Sequence, residues 1–307
     1  MNIAMITELN TVFTDDSMES ILNDAILSKG SLLLVDPTHP LEQWPSGVPA
    51  DGISLPNIAD AFAQKLIPTG GVLPSLNRPG VMAGASFIER TQKRGLRAGV
   101  SSGQTGLSGI NMPIPDAILQ YMLNNQSHEY YLSMWSYVTR EAEATSTNEP
   151  HMHIYRTLQC GYPLGGIASF SAQANWERPT GANKTGGYAV NTNAIGVQFR
   201  NIAGKISGQH DASGALLSLA DFPQPTQKTL VSMGPANVES LYTAVNSVSS
   251  GVGRRLQSWN FYRIYIEELT VSGRSYDDVT EIDKGLYTKE MTLAGGRYFG
   301  DSWTANP

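Results

Sequence analysis

One cysteine, Cys160, stands in a chain of 307 residues. An intrachain disulfide is therefore excluded, and with it the small secreted scaffolds that use disulfides in place of a core. Long hydrophobic runs are missing too, since no stretch approaches the roughly 18 apolar residues of a membrane span. The opening MNIAMITELNTVFTDD has no basic segment leading into an apolar one, which is what a secretory signal requires. The expectation is a chain made in the cytoplasm and not exported by a signal peptide. Positive charge is also scarce: 21 Lys and Arg stand against 27 Asp and Glu, a formal charge of -6. Neutralising phosphates calls for a basic surface, so a general nucleic-acid binder is set aside. The one basic run, Arg90, Lys93, Arg94 and Arg97, is expected to be a solvated face or a rim paired with acidic neighbours.

What remains is a folding composition, 41% apolar and 16% charged, in a chain long enough for one large all-β domain or two ordinary ones. In SMESILNDAILSKG, Met18, Ile21, Leu22, Ala25 and Ile26 fall at helical spacing, with Ser17 to cap and Gly30 to stop. This predicts a short docking helix. SLLLVD, Ser31 to Asp36, reads as a buried strand. Five prolines from Pro37 to Pro56 rule out regular ladders over most of the connector after it. NIADAFAQKL is expected to be a short helix capped by Asn57.

From Val81 the pattern turns to β. In EYYLSMWSYVTR, Leu132, Met134 and Val138 alternate with Tyr131, Ser133, Trp135 and Tyr137, the period of two that a strand imposes. Further short runs, divided by Gly, Asn and Pro turns such as GYPLGG and DFPQPTQ, indicate a two-sheet sandwich or barrel. Near the end, FYRIYIEELTVSGRSYDDV reads as strand, turn and helix start. Tyr262, Ile264 and Ile266 are expected on one face, with Phe261, Arg263 and Tyr265 on the other, as in a sheet strand with one apolar side. Ser275 lies three residues before Asp278, a capping arrangement for a helix with Val279, Ile282, Leu286 and Tyr287 as its buried stripe. AGGRYFGDSWTANP is expected to drape as a tail with aromatic anchors.

That strand, turn and capped helix, with YLSMWSYV as an early strand, resembles a laminin G-like or concanavalin A-like jelly roll over residues 120–295. The whole chain, from GSLLLVDPTHP and VPADGISLPNIA to FYRIYIEELTVSGRSYDDV, resembles virion structural proteins of tailed bacteriophages. The resemblance implies an antiparallel two-sheet sandwich over residues 81–295, an N-terminal arm, helix and Pro-rich connector over 1–80, and a tail over 296–307. It implies a component of the capsid or tail surface that is not an enzyme, with other virion proteins and further copies of itself as partners. Met18, Ile21, Leu22 and Trp44 are the interface candidates.

Other chemistry has thinner support. Relatives of that fold bind calcium through rim acids and amides, and Asn175, Asn183, Asn191, Asn193, Asp211 and Asp221 supply such groups without a spacing that clusters the six to eight oxygens calcium needs. No cofactor is expected. His151 and His153, two apart on a strand, point the same way and are weak metal candidates lacking a third ligand. Glu129, Glu177, Glu267 and Glu268 give no spacing that favours a glycosidase pair. The alternative reading is a lectin-like module. Of the exposed-aromatic candidates Trp44, Trp135, Trp176, Trp303, Tyr131 and Tyr137, Trp176 between Asn175 and Glu177 is the first choice for a sugar. A polysaccharide-degrading enzyme ranks third.

Overall fold

The structure, a computed structural model, describes residues 24–40, 44–78, 80–101, 103–104, 108–125, 127–140, 159–161, 168–171, 198–206, 229–233 and 258–307. In chain order its elements are β1 (Ser31–Val35), β2 (Ile53–Ser54), α1 (Asp60–Leu66), β3 (Ser75–Leu76), β4 (Phe87–Arg90), β5 (Leu96–Gly99), β6 (Ile110–Pro113) and α2 (Asp116–Asn124). There follow β7 (Tyr130–Arg140), β8 (Gln159–Gly161), β9 (Ala168–Ser171), β10 (Gln198–Ile206), β11 (Thr229–Met233), β12 (Ser258–Glu268), α3 (Leu269–Ser272) and α4 (Tyr276–Tyr287), with a π-helical turn over Thr288–Thr292.

Among the described residues every strand pairing is antiparallel. The larger sheet runs β10-β7-β12-β5-β4, and β1 joins β12 as well. β12 is its centre: one edge pairs with β7, and the other pairs with β5 at Trp259–Phe261 and with β1 at Ile264–Glu267. A second sheet runs β6-β11-β8-β9. The chain is thus rich in antiparallel sheet and ends in a short helix, as its strand pattern predicts.

The alternation in β7 sorts its side chains. Tyr130, Leu132 and Met134 enter a large apolar core with Leu96, Ile110, Met112, Ile118, Val231 and Ile264, so residues of both sheets and of α2 share one cluster. Tyr131 and Trp135 face the other way, towards Val279 of α4 and Met291 of the π-helical turn. Covered on both sides, β12 is buried at every residue from Ser258 to Glu268. Each fully buried Ile or Phe there adds about 1.5–3 kcal/mol of transfer free energy.

The expected division of β12 holds only in part. Its register with β7 shifts between Phe261 and Arg263, and this bulge inserts one residue and slips the phase of the pleat. Trp259 and Phe261 before it share the large core with Ile264 and Ile266 after it, whereas Tyr262 packs with Trp135 and Tyr298. The two-sided burial also overturns the expectation of a single apolar face.

Three other expectations change. Residues 24–30 form turns rather than the end of a helix: Asp24 Oδ1 accepts from Ile26 N at 3.1 Å, and Ser31 Oγ accepts from Ser28 N at 2.8 Å. Short polar side chains that bond neighbouring main chain compete with helix, and here they win. Helix α1 begins at Asp60, and Asn57 does not cap it. The Asn57 carboxamide accepts from Leu34 N and Ala59 N at 2.9 and 3.0 Å and donates to Leu32 O and Val72 O, fastening the connector to β1. Arg97 is fully buried, not solvated.

The capping box of α4 is formed as its sequence predicts. Ser275 Oγ accepts from Asp278 N, and Asp278 Oδ2 accepts from Ser275 N, both at 3.1 Å. Just before β1, Gly30 leaves no room for a side chain: a Cβ there would sit 2.2 Å from Glu268 O and 2.9 Å from Ser272 Cβ. Gly30→Ala is expected to cost about 3 kcal/mol, the upper range for forced overpacking, read as a lowered midpoint in urea. A midpoint equal to wild type would mean that the β1 entrance does not need this close approach.

Candidate functional site

β12 carries Asn260, Arg263, Glu267 and Glu268, all without exposed surface. A buried charge costs several kcal/mol unless it is paired and hydrogen-bonded. Each of these three charged groups has partners, and each draws at least one of them from a segment remote in the chain.

Arg263 grips Asp24 through both terminal nitrogens, Nη1 to Oδ2 at 2.7 Å and Nη2 to Oδ1 at 2.9 Å. Its Nη1 also donates to Asp36 Oδ2 at 3.3 Å, and its guanidinium lies 4.6 Å from the centre of the Trp135 ring. Asp36 accepts from Tyr298 OH at 2.6 Å and faces Arg297 Nη1 at 3.0 Å. Burial alone would raise the Asp24 carboxyl; the hydrogen bonds and charge of Arg263 outweigh it and hold that carboxyl at about 2. His39 Nε2 lies 3.6 Å from Asp24 Oδ2, and burial pushes its imidazole down against the pull of Asp36 and Asp24. The network ties the turn before β1, the segment after it and the Arg297–Tyr298 stretch to one guanidinium.

Glu267 and Glu268 leave β12 on opposite sides, as the period of two dictates. Glu267 accepts from Ser28 Oγ at 2.8 Å and Arg274 Nε at 2.9 Å, with Tyr265 OH on its other oxygen at 2.8 Å. Glu268 accepts from Tyr121 OH and bonds His128 Nδ1. Burial and the Glu268 charge push the Tyr121 hydroxyl well up. These neighbouring acids cannot flank one scissile bond. The Glu268–His128 pair has the orienting half of a triad, but among the described residues no hydroxyl or thiol bonds the other ring nitrogen.

A further acid was not foreseen. Asp283, fully buried on α4, accepts from Tyr131 OH at 2.9 Å and Trp135 Nε1 at 3.0 Å. The signal was present as a polar residue inside the stripe of Val279, Ile282 and Leu286, opposite two aromatics with polar tips. Strand β5 and helix α2 were missed as well. The arginines of RGLRAGV read as a charged run, and the polar signals around DAILQYMLN masked a helix whose Ile118, Leu119 and Met122 lie in the core.

Of the interface candidates, Trp44 is 7% exposed and joins the large core, with the Arg90 guanidinium 5.4 Å from its ring centre. Trp135 and Tyr131 have no exposed surface and cannot stack on a sugar. Trp303 packs on Tyr137, ring centres 4.8 Å apart. Met18, Ile21 and Leu22, His151 and His153, the Asn175, Trp176 and Glu177 trio, and the calcium candidates from Asn183 to Asp221 lie outside the described residues. Among the described residues no three metal-capable side chains come together, and no helix is long and apolar enough to cross a membrane. The polar groups the structure does bring together act as clasps, drawing both ends of the described chain onto β12. No family model, curated protein or solved structure matches the chain.

Proposed function

We propose that this chain is a structural component of a tailed-phage particle, a surface protein of its head or tail, and that its two sheets form a jelly-roll sandwich of the laminin G-like type. It acts by adhesion, burying apolar and polar surface against neighbouring virion proteins and further copies of itself. The observation that carries this reading is the bracing of the central strand. Asp24 and Ser28 near one end of the described chain, and Arg274 and Arg297 near the other, close on Arg263, Glu267 or Asp36, so segments at both ends of the described chain are fixed to one sheet. A module that must hold its place in an assembly is served by such bracing, because peeling either segment uncovers a buried charge. The resemblance of the opening and closing segments to virion structural proteins of tailed bacteriophages, read from the sequence alone, points the same way.

Quantitative mass spectrometry of purified particles tests it. The expected result is a fixed stoichiometric copy number, with incorporation lost when residues 1–22 are removed. That deletion stops short of Asp24 and so leaves the clasp on Arg263 intact. Absence from particles, or release of reducing sugar from a host polysaccharide by the pure protein, would replace the structural reading.

A further inference from the structure

Residues 301–307 lie along β4 and β7 without forming a ladder with either: Asp301 accepts from Lys93 N and Tyr262 OH at 2.7 and 2.8 Å, one main-chain bond joins Gln92 N to Ser302 O at 2.9 Å, and side chains hold the rest. Thr304 N and Oγ1 donate to the two carboxylate oxygens of Glu89 at 2.9 and 2.6 Å. The buried Arg97 donates through Nη2 to Thr304 O at 3.0 Å and to Asn306 Oδ1 at 2.8 Å. Thr139 meets both ends of the Asn306 carboxamide, donating from Oγ1 to Oδ1 at 2.9 Å and accepting at its main-chain oxygen from Nδ2 at 2.7 Å. Trp303 seats its ring 4.8 Å from Tyr137 and 5.7 Å from the Arg97 guanidinium.

The slot therefore reads a tryptophan followed three residues later by a carboxamide. A carboxylate in place of Asn306 would satisfy Arg97 but set an oxygen against the Thr139 carbonyl. Of the five tryptophans in the chain, only Trp303 has asparagine at that distance. The strap is also built to leave as a unit. Gly300 precedes it in the left-handed region, with φ of +68 and open space where a Cβ would stand, and Ser302 and residues 304–307 are exposed. A strap that swings out uncovers Arg97, and the best complement to that site is the same segment of another molecule, which remakes every bond that was broken.

We infer that the Arg97–Thr139–Tyr137 slot is an interface between copies of this chain, taking residues 303–306 of a second copy in place of its own. The inference gives the adhesive reading a partner and rests on it only for the setting. A short tethered segment has an effective concentration on the order of millimolar, so the strap stays closed in dilute solution and exchanges where copies are packed at comparable density.

The test uses full-length protein and a fluorescein-labelled peptide of sequence DSWTANP. In the Trp303→Ala protein the strap is loosened while the slot is intact, so saturable peptide binding is expected, at least tenfold tighter than to wild type, whose own strap competes. A peptide carrying Asn306→Asp is expected to bind at least tenfold more weakly. Sedimentation of wild type towards millimolar concentration is expected to show dimers that Trp303→Ala abolishes. With circular dichroism confirming the fold, failure of the variant to bind peptide, or equal binding of the Asp peptide, would overturn the slot. A monomer at every concentration would overturn the exchange between copies. Neither result depends on a particle, so the structural reading would stand or fall separately.

Discussion

Arg263→Met is expected to lower the unfolding free energy by about 3–5 kcal/mol, the usual cost of stripping one partner from a buried ion network. The methionine approximates the stem of the arginine and can still touch Trp135, so the loss isolates the charge. It leaves Asp24 and Asp36 buried, with Arg297 still 3.0 Å from Asp36. Among the described residues Asp24 keeps the Ile26 main-chain N–H and His39, a neutral imidazole at 3.6 Å. Adding Asp24→Asn to this variant is expected to restore part of the loss, because the uncompensated carboxylate is the expensive item. Urea denaturation of wild type, both single variants and the double variant gives the coupling energy directly. A coupling below about 0.5 kcal/mol would mean that the pair behaves as an exposed one, and the bracing of β12 would lose its main strut.

How much of this was readable beforehand depended on the range of the determining interaction. The β7 alternation, the β1 run and the Ser275–Asp278 box are local. Side-chain period and a three-residue reach specify them, and the structure forms all three. The turns at 24–30 escaped because helical spacing of Ala25 and Ile26 says nothing about Arg263, more than two hundred residues away, which holds Asp24 where no helix can continue. The phase slip at Phe261–Arg263 escaped because a bulge has no marker in an unbroken run of aromatic and aliphatic residues. Arg97 looked like surface because a charged side chain is rarely buried. Its burial is made tolerable by Glu89, Asn260 and Thr139, and by a strap placed far along the chain. Polar residues in the core were legible as residues but not as partners, since nothing in a single sequence pairs Asp283 with Trp135 or Glu268 with His128.

The same networks set a pH profile with a different cause on each limb. The Asp24 carboxyl is depressed in the fold, so its stabilisation is present above the ordinary carboxylate range and is lost as pH falls from about 4 towards 2, about 2 kcal/mol in all. His39 is also depressed, and because its neutral form is favoured in the fold, stability begins to fall earlier, as pH drops below the unfolded imidazole value of about 6.5. At the other end Tyr131, Tyr262, Tyr265 and Tyr298 are raised by burial. Their contribution is complete below about 10, where the unfolded phenols ionise, and is lost as pH rises beyond it. Melting temperature is therefore expected to be level from about pH 7 to 9, to slope down gently below 6.5, and to drop steeply below 4 and above 10. His39→Gln should remove the gentle slope and keep the steep one. Arg263→Met should reverse the sign of the Asp24 contribution. Without the guanidinium, burial raises that carboxyl above its ordinary value of about 4, so its protonation relieves a buried charge: the variant gains stability from this group as pH falls towards about 4, and below that it has none of the Asp24 loss that wild type shows. A variant that follows the wild-type acid limb unchanged would show that Asp24 takes its charge compensation from somewhere other than β12.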